Sequence, residues 1–173
     1  VLVEPMPRAA LAGTMARLAL LRPLLLGAAL GVRAANALGL RRGALAPMDL
    51  QAMDRETREA LARGPEGEAL LARYASPLAD LRSTATGAYV QALAAVTGPA
   101  QPLAGIRAPA LALISAQAAF TDPPRVRAAL AALPDCEVVE LPARHWIPTE
   151  QPEAMREAID GWVAGRFAAR GGT

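Results

Sequence analysis

The apolar positions change texture along the chain. A short run, Val1-Leu2-Val3, is closed by Glu4-Pro5-Met6-Pro7. Two prolines so close fit neither a central strand nor a helix interior, so a strand ends here and a loop begins. Residues 9–96 then read as helix after helix, over 9–21, 24–38, 50–63 and 83–96, with further helical turns over 66–74. A break at Gly43 to Pro47 precedes Asp49, which stands where a cap for the third helix belongs, and Gly64-Pro65 stops that helix. Gly98-Pro99-Ala100-Gln101-Pro102 reads as a linker. Beyond it, Ala110-Leu111-Ala112-Leu113-Ile114 is a continuous apolar run of the kind a buried strand shows. Thr121-Asp122-Pro123-Pro124 opens a helix over 125–133, and Cys136-Glu137-Val138-Val139-Glu140-Leu141 forms a second strand. Met155, Ile159, Trp162, Val163 and Phe167 recur at helical spacing in a last helix over 153–170. Strand, helix, strand, helix with short connections is the pattern of a parallel α/β sheet.

Composition narrows the chemistry. With 173 residues and 53% apolar content there is material for a packed core, but only 3% is aromatic and 42 residues are alanine, so that core is built of small side chains. All 18 basic residues are arginine. No lysine is present to form a Schiff base, to serve a phosphate loop or to act as a general base. One cysteine, Cys136, excludes an internal disulfide and a multi-cysteine metal site, and one histidine, His145, excludes the histidine-rich zinc motifs. Neither a metal nor a cofactor is implied. The net charge of +2 is interleaved along the chain, and with so few aromatics no nucleic-acid partner is expected. The apolar stretch 18–32 is interrupted by Arg22 and Pro23 and falls short of the ~20 residues a membrane span needs, so none is expected.

The final third carries a more specific signal. Ala108-Pro109-Ala110-Leu111-Ala112-Leu113, then Leu130 through Leu141, then His145-Trp146-Ile147-Pro148-Thr149-Glu150-Gln151-Pro152-Glu153 follow one another in order. This stretch resembles the C-terminal third of an α/β-hydrolase-fold enzyme. There a strand introduced by Pro-x-Leu leads through a helix and a second strand to the loop of the catalytic histidine, and Glu-x-Pro-Glu opens the last helix. The resemblance implies an α/β fold, the C-terminal part of an α/β-hydrolase, with parallel strands and a helical cap insertion. Residues 1–7 are then a core strand and loop, 8–101 the cap, and 102–173 the returning core with the histidine loop and final helix. A three-stranded, incomplete sheet with helices on one face is expected. A small apolar substrate under the cap is the implied ligand.

Such an enzyme needs a nucleophile, a base, an orienting acid and oxyanion donors. His145 follows a predicted parallel strand, at the edge where these sheets hold their ligands, and imidazole suits proton transfer near neutral pH. For the acid, Ala118 occupies the position where the resemblance leads one to look for Asp. Two carboxylates remain: Asp122, also an ordinary helix cap, and Glu4, at the end of the preceding core strand, where certain haloalkane dehalogenases keep theirs. Ser76, Ser83 and Ser115 lack the Gly-x-Ser-x-Gly elbow, and Cys136 opens a buried strand. The nucleophile is therefore expected from an N-terminal segment of the same protein preceding Val1, and the chain alone is expected to be inactive. Ester or related acyl cleavage is the leading expectation. The alternatives are epoxide or haloalkane hydrolysis by an Asp nucleophile, with Tyr74 and Tyr89 as weak cap signals, or a non-catalytic binding module of the same fold.

Overall fold

The computed structural model describes residues 1–40, 44–63, 77–99 and 103–168. The expected helical turns over 66–74 with Tyr74, Ser76 and the end of the linker at Gln101-Pro102 lie outside the described residues, as does the side chain of Phe167. The chain divides into two compact units, Val1–Ala16 with Pro99–Thr173, and Arg17–Gly98.

The first unit is built on a parallel sheet of three strands in the order β1 (Leu2–Val3), β2 (Ala110–Ser115), β3 (Cys136–Leu141). Leu2 pairs with Ala112 and Val3 with Leu113, and all six residues of β2 pair in register with β3 from Ala110↔Cys136 to Ser115↔Leu141. The central strand alternates between two apolar layers, as a strand's period of two requires. Ala112 and Ile114 join Val126 and Leu130 of α6 (Pro123–Leu130) and Ala10 on one side. Leu111 and Leu113 join Leu141, Ala143 and Ile147 on the other, where Met155, Ile159 and Trp162 of α8 (Pro152–Ala168) pack against them. The sheet is thus covered on both faces, which is why β2 is apolar at nearly every position. This corrects the expectation of helices on one face: two short connections, one on each side of β3, lead to helices that pack on opposite faces.

A second correction concerns the expected helix over 9–21. Arg8–Ala10 form a single 3-10 turn, Leu11 bridges antiparallel to Thr121, and the helix α1 starts only at Gly13 (Gly13–Leu20). Helical propensity over 9–12 is overridden by burial: Ala10 and Leu11 are buried, and the backbone of Ala10 and Ala12 bonds to Asp122 and Phe120. Gly13 turns the chain at a positive φ of 53°, a conformation costly for other residues.

The second unit is helical: α2 (Arg22–Ala37), α3 (Leu50–Ala62), α4 (Pro77–Ser83) and α5 (Thr86–Val96). Pro23 sits in the first turn of α2, where its missing N–H is no loss. The helix ends in a Schellman motif, with Gly39 at φ 81° and Leu40 N–H donating to the Ala35 carbonyl at 3.0 Å. Asp49 caps α3, its Oδ1 accepting from Ala52 N–H at 2.9 Å. The expected helix over 83–96 starts three residues later, at Thr86, because Ser83 closes α4. Small residues let α2 and α5 pack closely: Ala29 and Ala94 are buried, and a Cβ on Gly87 would lie 3.4 Å from Val32 Cγ1. Arg22 Nε donates to the Ala94 carbonyl at 3.1 Å, tying the start of one helix to the end of the other. An apolar cavity of about 350 Å³ opens within this unit beside Val32, Ala35, Leu40 and Leu45, with Asn36 and Thr86 as its polar lining. Among the described residues no single helix is long and apolar enough to cross a membrane.

Candidate active site

In parallel sheets, ligand-bearing groups collect where strands end and loops begin. At that edge β1 runs into Glu4. Its N–H still bonds to the Leu113 carbonyl at 2.9 Å, but its φ is 49°, a left-handed conformation that is uncommon outside glycine and costs roughly 1 kcal/mol or more. That turn takes the side chain out of strand geometry and under cover, leaving it only 9% exposed. Glu4 Oε2 stands 3.2 Å from Nδ1 of His145, joining residues 141 apart in sequence. Oε1 is buried without a hydrogen-bond partner among the described residues. A strained backbone and a partly unsatisfied buried carboxylate at one residue are the features that cluster at functional sites.

The histidine loop follows β3. Leu141 and Ala143 are buried and anchor its start, and Ile147, fully buried, anchors α7 (Ile147–Glu150) at its end. The segment after β2 runs beside it, with Gln117 N–H donating to the Ala143 carbonyl at 3.1 Å and Ala119 N–H to that of Arg144 at 3.0 Å. Ala118, where an acid was sought, lies in this segment and brings no carboxylate. Phe120 meets the imidazole edge-on with ring centroids 4.7 Å apart, and Trp146 does so at 5.7 Å. The ring is one-fifth exposed, with its Nδ1 side against Glu4. A carboxylate at Nδ1 favours the tautomer that keeps the proton there and leaves the Nε2 lone pair to accept one.

The other candidates lie elsewhere. Asp122 caps α6, its Oδ1 accepting from Arg125 N–H at 3.0 Å. Ser83 closes α4, its Oγ donating to the Asp80 carbonyl at 3.4 Å. Ser115 ends β2 and is 1% exposed. Tyr89 belongs to the helical unit, where burial first and Asp80 second push its phenol above its ordinary value and keep it protonated.

Cys136 opens β3, and burial first, then the neighbouring Asp135 carboxylate, push its thiol up. The thiolate is the reactive form, so alkylation of the folded chain by iodoacetamide at pH 8 is expected to run several-fold slower than in urea. The sign for stability follows. A raised thiol contributes stability that is complete below the unfolded value and is lost as pH rises through the folded one. Equal alkylation rates in the two states would remove Cys136 from the protected positions.

Two residues at the site escaped the sequence reading. Phe120 carried no signal beyond being one of few aromatics. The sequence pattern places Glu150, five residues after His145, at the opening of the last helix, whereas its carboxylate turns back to the histidine loop.

No protein-family model matches the chain, and comparison with curated proteins finds no match. Among solved structures the chain is similar to a thermophilic esterase from Thermogutta terrifontis, solved with malate bound, at 21% identity and a TM-score of 0.43. The match covers 70% of this chain and 53% of the esterase, so the chain spans about half the length of that relative. Among the described residues the chain is a mixed α/β protein with three parallel strands.

Proposed function

We propose that this chain is the C-terminal part of an α/β-hydrolase that cleaves a carboxylic ester or related acyl substrate, with His145 as general base, Glu4 as its orienting acid, and the nucleophile supplied by an N-terminal segment of the same protein. What carries the reading is the contact between Glu4 Oε2 and His145 Nδ1, 3.2 Å long, at the edge of a parallel sheet. Nδ1–H donates to Glu4, and Nε2 removes the proton of a serine hydroxyl as its oxygen attacks the acyl carbon. The imidazolium formed is stabilised by the Glu4 carboxylate, and Nε2–H then protonates the departing alkoxide. In the second half the same nitrogen deprotonates water, which attacks the acyl-enzyme, and the acid and the serine are released. The substrate is a small apolar one.

The same contact supports a second reading, because a glutamate at the end of this strand is where certain haloalkane dehalogenases keep their acid. One experiment separates them. The full-length polypeptide is mixed with a short-chain aryl ester and, separately, with a haloalkane, and quenched samples are weighed intact. An aryl alcohol burst matched by an acyl adduct is expected. Halide release with an alkyl adduct instead moves the assignment to an Asp nucleophile, and no turnover with either class sinks the hydrolase reading in favour of a binding module.

A further inference from the structure

In the loop that carries His145, three consecutive backbone N–H groups converge on one carboxylate. Arg144 N–H donates to Glu150 Oε2 at 3.0 Å, His145 N–H to Oε1 at 3.1 Å, and Trp146 N–H to Oε1 at 2.8 Å. Glu150's own N–H returns to the Trp146 carbonyl at 2.7 Å, so the residue grips the loop by side chain and backbone together. Successive N–H groups pointing one way form a concavity suited to an anion, and here the chain fills it from its own next turn. Hydrogen bonds to a carboxylate are among the stronger ones available, and these three replace bonds the loop would otherwise have to find in water. Beside them, Gln151 Nε2 donates to the Pro142 carbonyl at 3.1 Å and closes the loop across its base.

The consequence lies in the ring. Most N–H···O bonds fall between 2.7 and 3.2 Å, so the His145–Glu4 contact of 3.2 Å stands at the long end with little slack. A loop displaced by a fraction of an ångström away from β1 breaks it. Phe120 and Trp146 touch the ring edge-on and supply no hydrogen bond that would replace Glu4.

We propose that Glu150 is the positioning residue of this site: by gathering the N–H groups of residues 144–146 on its carboxylate it holds the His145 imidazole within reach of Glu4. This rests on the Glu4–His145 pair proposed above, and the test separates the two. His145 is the sole histidine of the chain, so the imidazole 15N resonances of the 173-residue protein have one source. Their positions in the neutral ring report which nitrogen holds the proton. In the parent chain the Nδ1–H form is expected to dominate, and Glu4→Gln to lose that dominance. Glu150→Ala is expected to lose it as well while the amide resonances of β2 and β3 stay in place. Glu150→Gln is expected between the two, because its amide oxygen still accepts from His145 and Trp146 while its NH2 opposes Arg144 N–H. Parent-like ring shifts in Glu150→Ala beside altered ones in Glu4→Gln overturn the role of Glu150 alone. Parent-like shifts in Glu4→Gln overturn the pair and the proposal with it. Should Glu150→Ala fail to fold, Glu150→Gln decides: parent-like ring shifts there, with the amides of 144–146 displaced, overturn the proposal. The readout needs no turnover, so it stands whether or not the hydrolase reading does.

Discussion

Replacing His145 by alanine in the full-length polypeptide is expected to lower kcat/KM for a short-chain aryl ester by roughly 10⁴-fold or more, with KM little changed. The magnitude follows from what the imidazole does. In the proposed mechanism it takes up a proton and gives one back in each half-reaction, and no other side chain in this chain has the same chemistry, since there is no lysine and no second histidine. Glu4→Gln is expected to cost somewhat less, about 10²- to 10⁴-fold, because size is kept while the charge that stabilises the imidazolium is lost. The double variant should be scarcely worse than His145→Ala, since Glu4 acts through the ring and not beside it. Asp122→Ala gives the contrast. Its carboxylate caps α6, so about 1 kcal/mol of stability goes while turnover is kept. Steady-state rates with urea melts of each variant check the set. A His145→Ala enzyme at parental speed, or an Asp122→Ala enzyme that loses turnover without losing stability, would overturn the assignment of base and acid.

The sequence and the structure meet most closely where local pattern and tertiary demand agree. The run over 110–114 is apolar because both faces of β2 are covered, and that same burial makes it legible as a strand. Glu4 and His145 are legible as candidates through the resemblance, which looks for an acid at the end of the strand that stops before Pro5 and Pro7 and for a histidine in the loop between the last strand and the last helix. What periodicity does not encode is the geometry between distant segments. Its positive φ swings Glu4 onto a residue 141 positions away, and nothing in the local sequence announces that angle. Residues 9–12 have helical propensity, and the burial of Ala10 and Leu11 with the backbone bonds of Ala10 and Ala12 to Asp122 and Phe120 explains why no α-helix forms there. Glu150 is the clearest case. Its place before Pro152 fits the opening of a helix, and the three N–H groups it accepts from come into view only once the loop is folded back upon it.

A large loss of stability in the sheet unit is expected at Ile147, and it reaches the site as well. Ile147 is fully buried against Leu111, Leu113, Leu141 and Ala143, with Met155, Ile159 and Trp162 closing the layer. Truncation to alanine removes three carbons and leaves a cavity that the surrounding strands and helix refill only in part. A cost of about 3 kcal/mol is expected, within the 2 to 5 typical of such truncations, against roughly 5 to 15 for the whole stability of an ordinary domain. Ile147→Val should cost about 1 kcal/mol, and Val163→Ala, 37% exposed on the last helix, much less than Ile147→Ala. The same side chain fixes the start of α7, whose Ile147 carbonyl accepts from Gln151 N–H at 2.8 Å and whose last residue is Glu150. A loosened Ile147 therefore releases the carboxylate that gathers the histidine loop. Urea unfolding followed by tryptophan emission, with the midpoint shifted and the slope unchanged, measures the first effect. The imidazole 15N positions below the transition measure the second. A stability loss under 1 kcal/mol would mean that this face of the sheet is not packed as described. A loss near 3 kcal/mol with the parental Nδ1–H tautomer intact would mean that the loop is held by Glu150 alone and not by the layer beneath it.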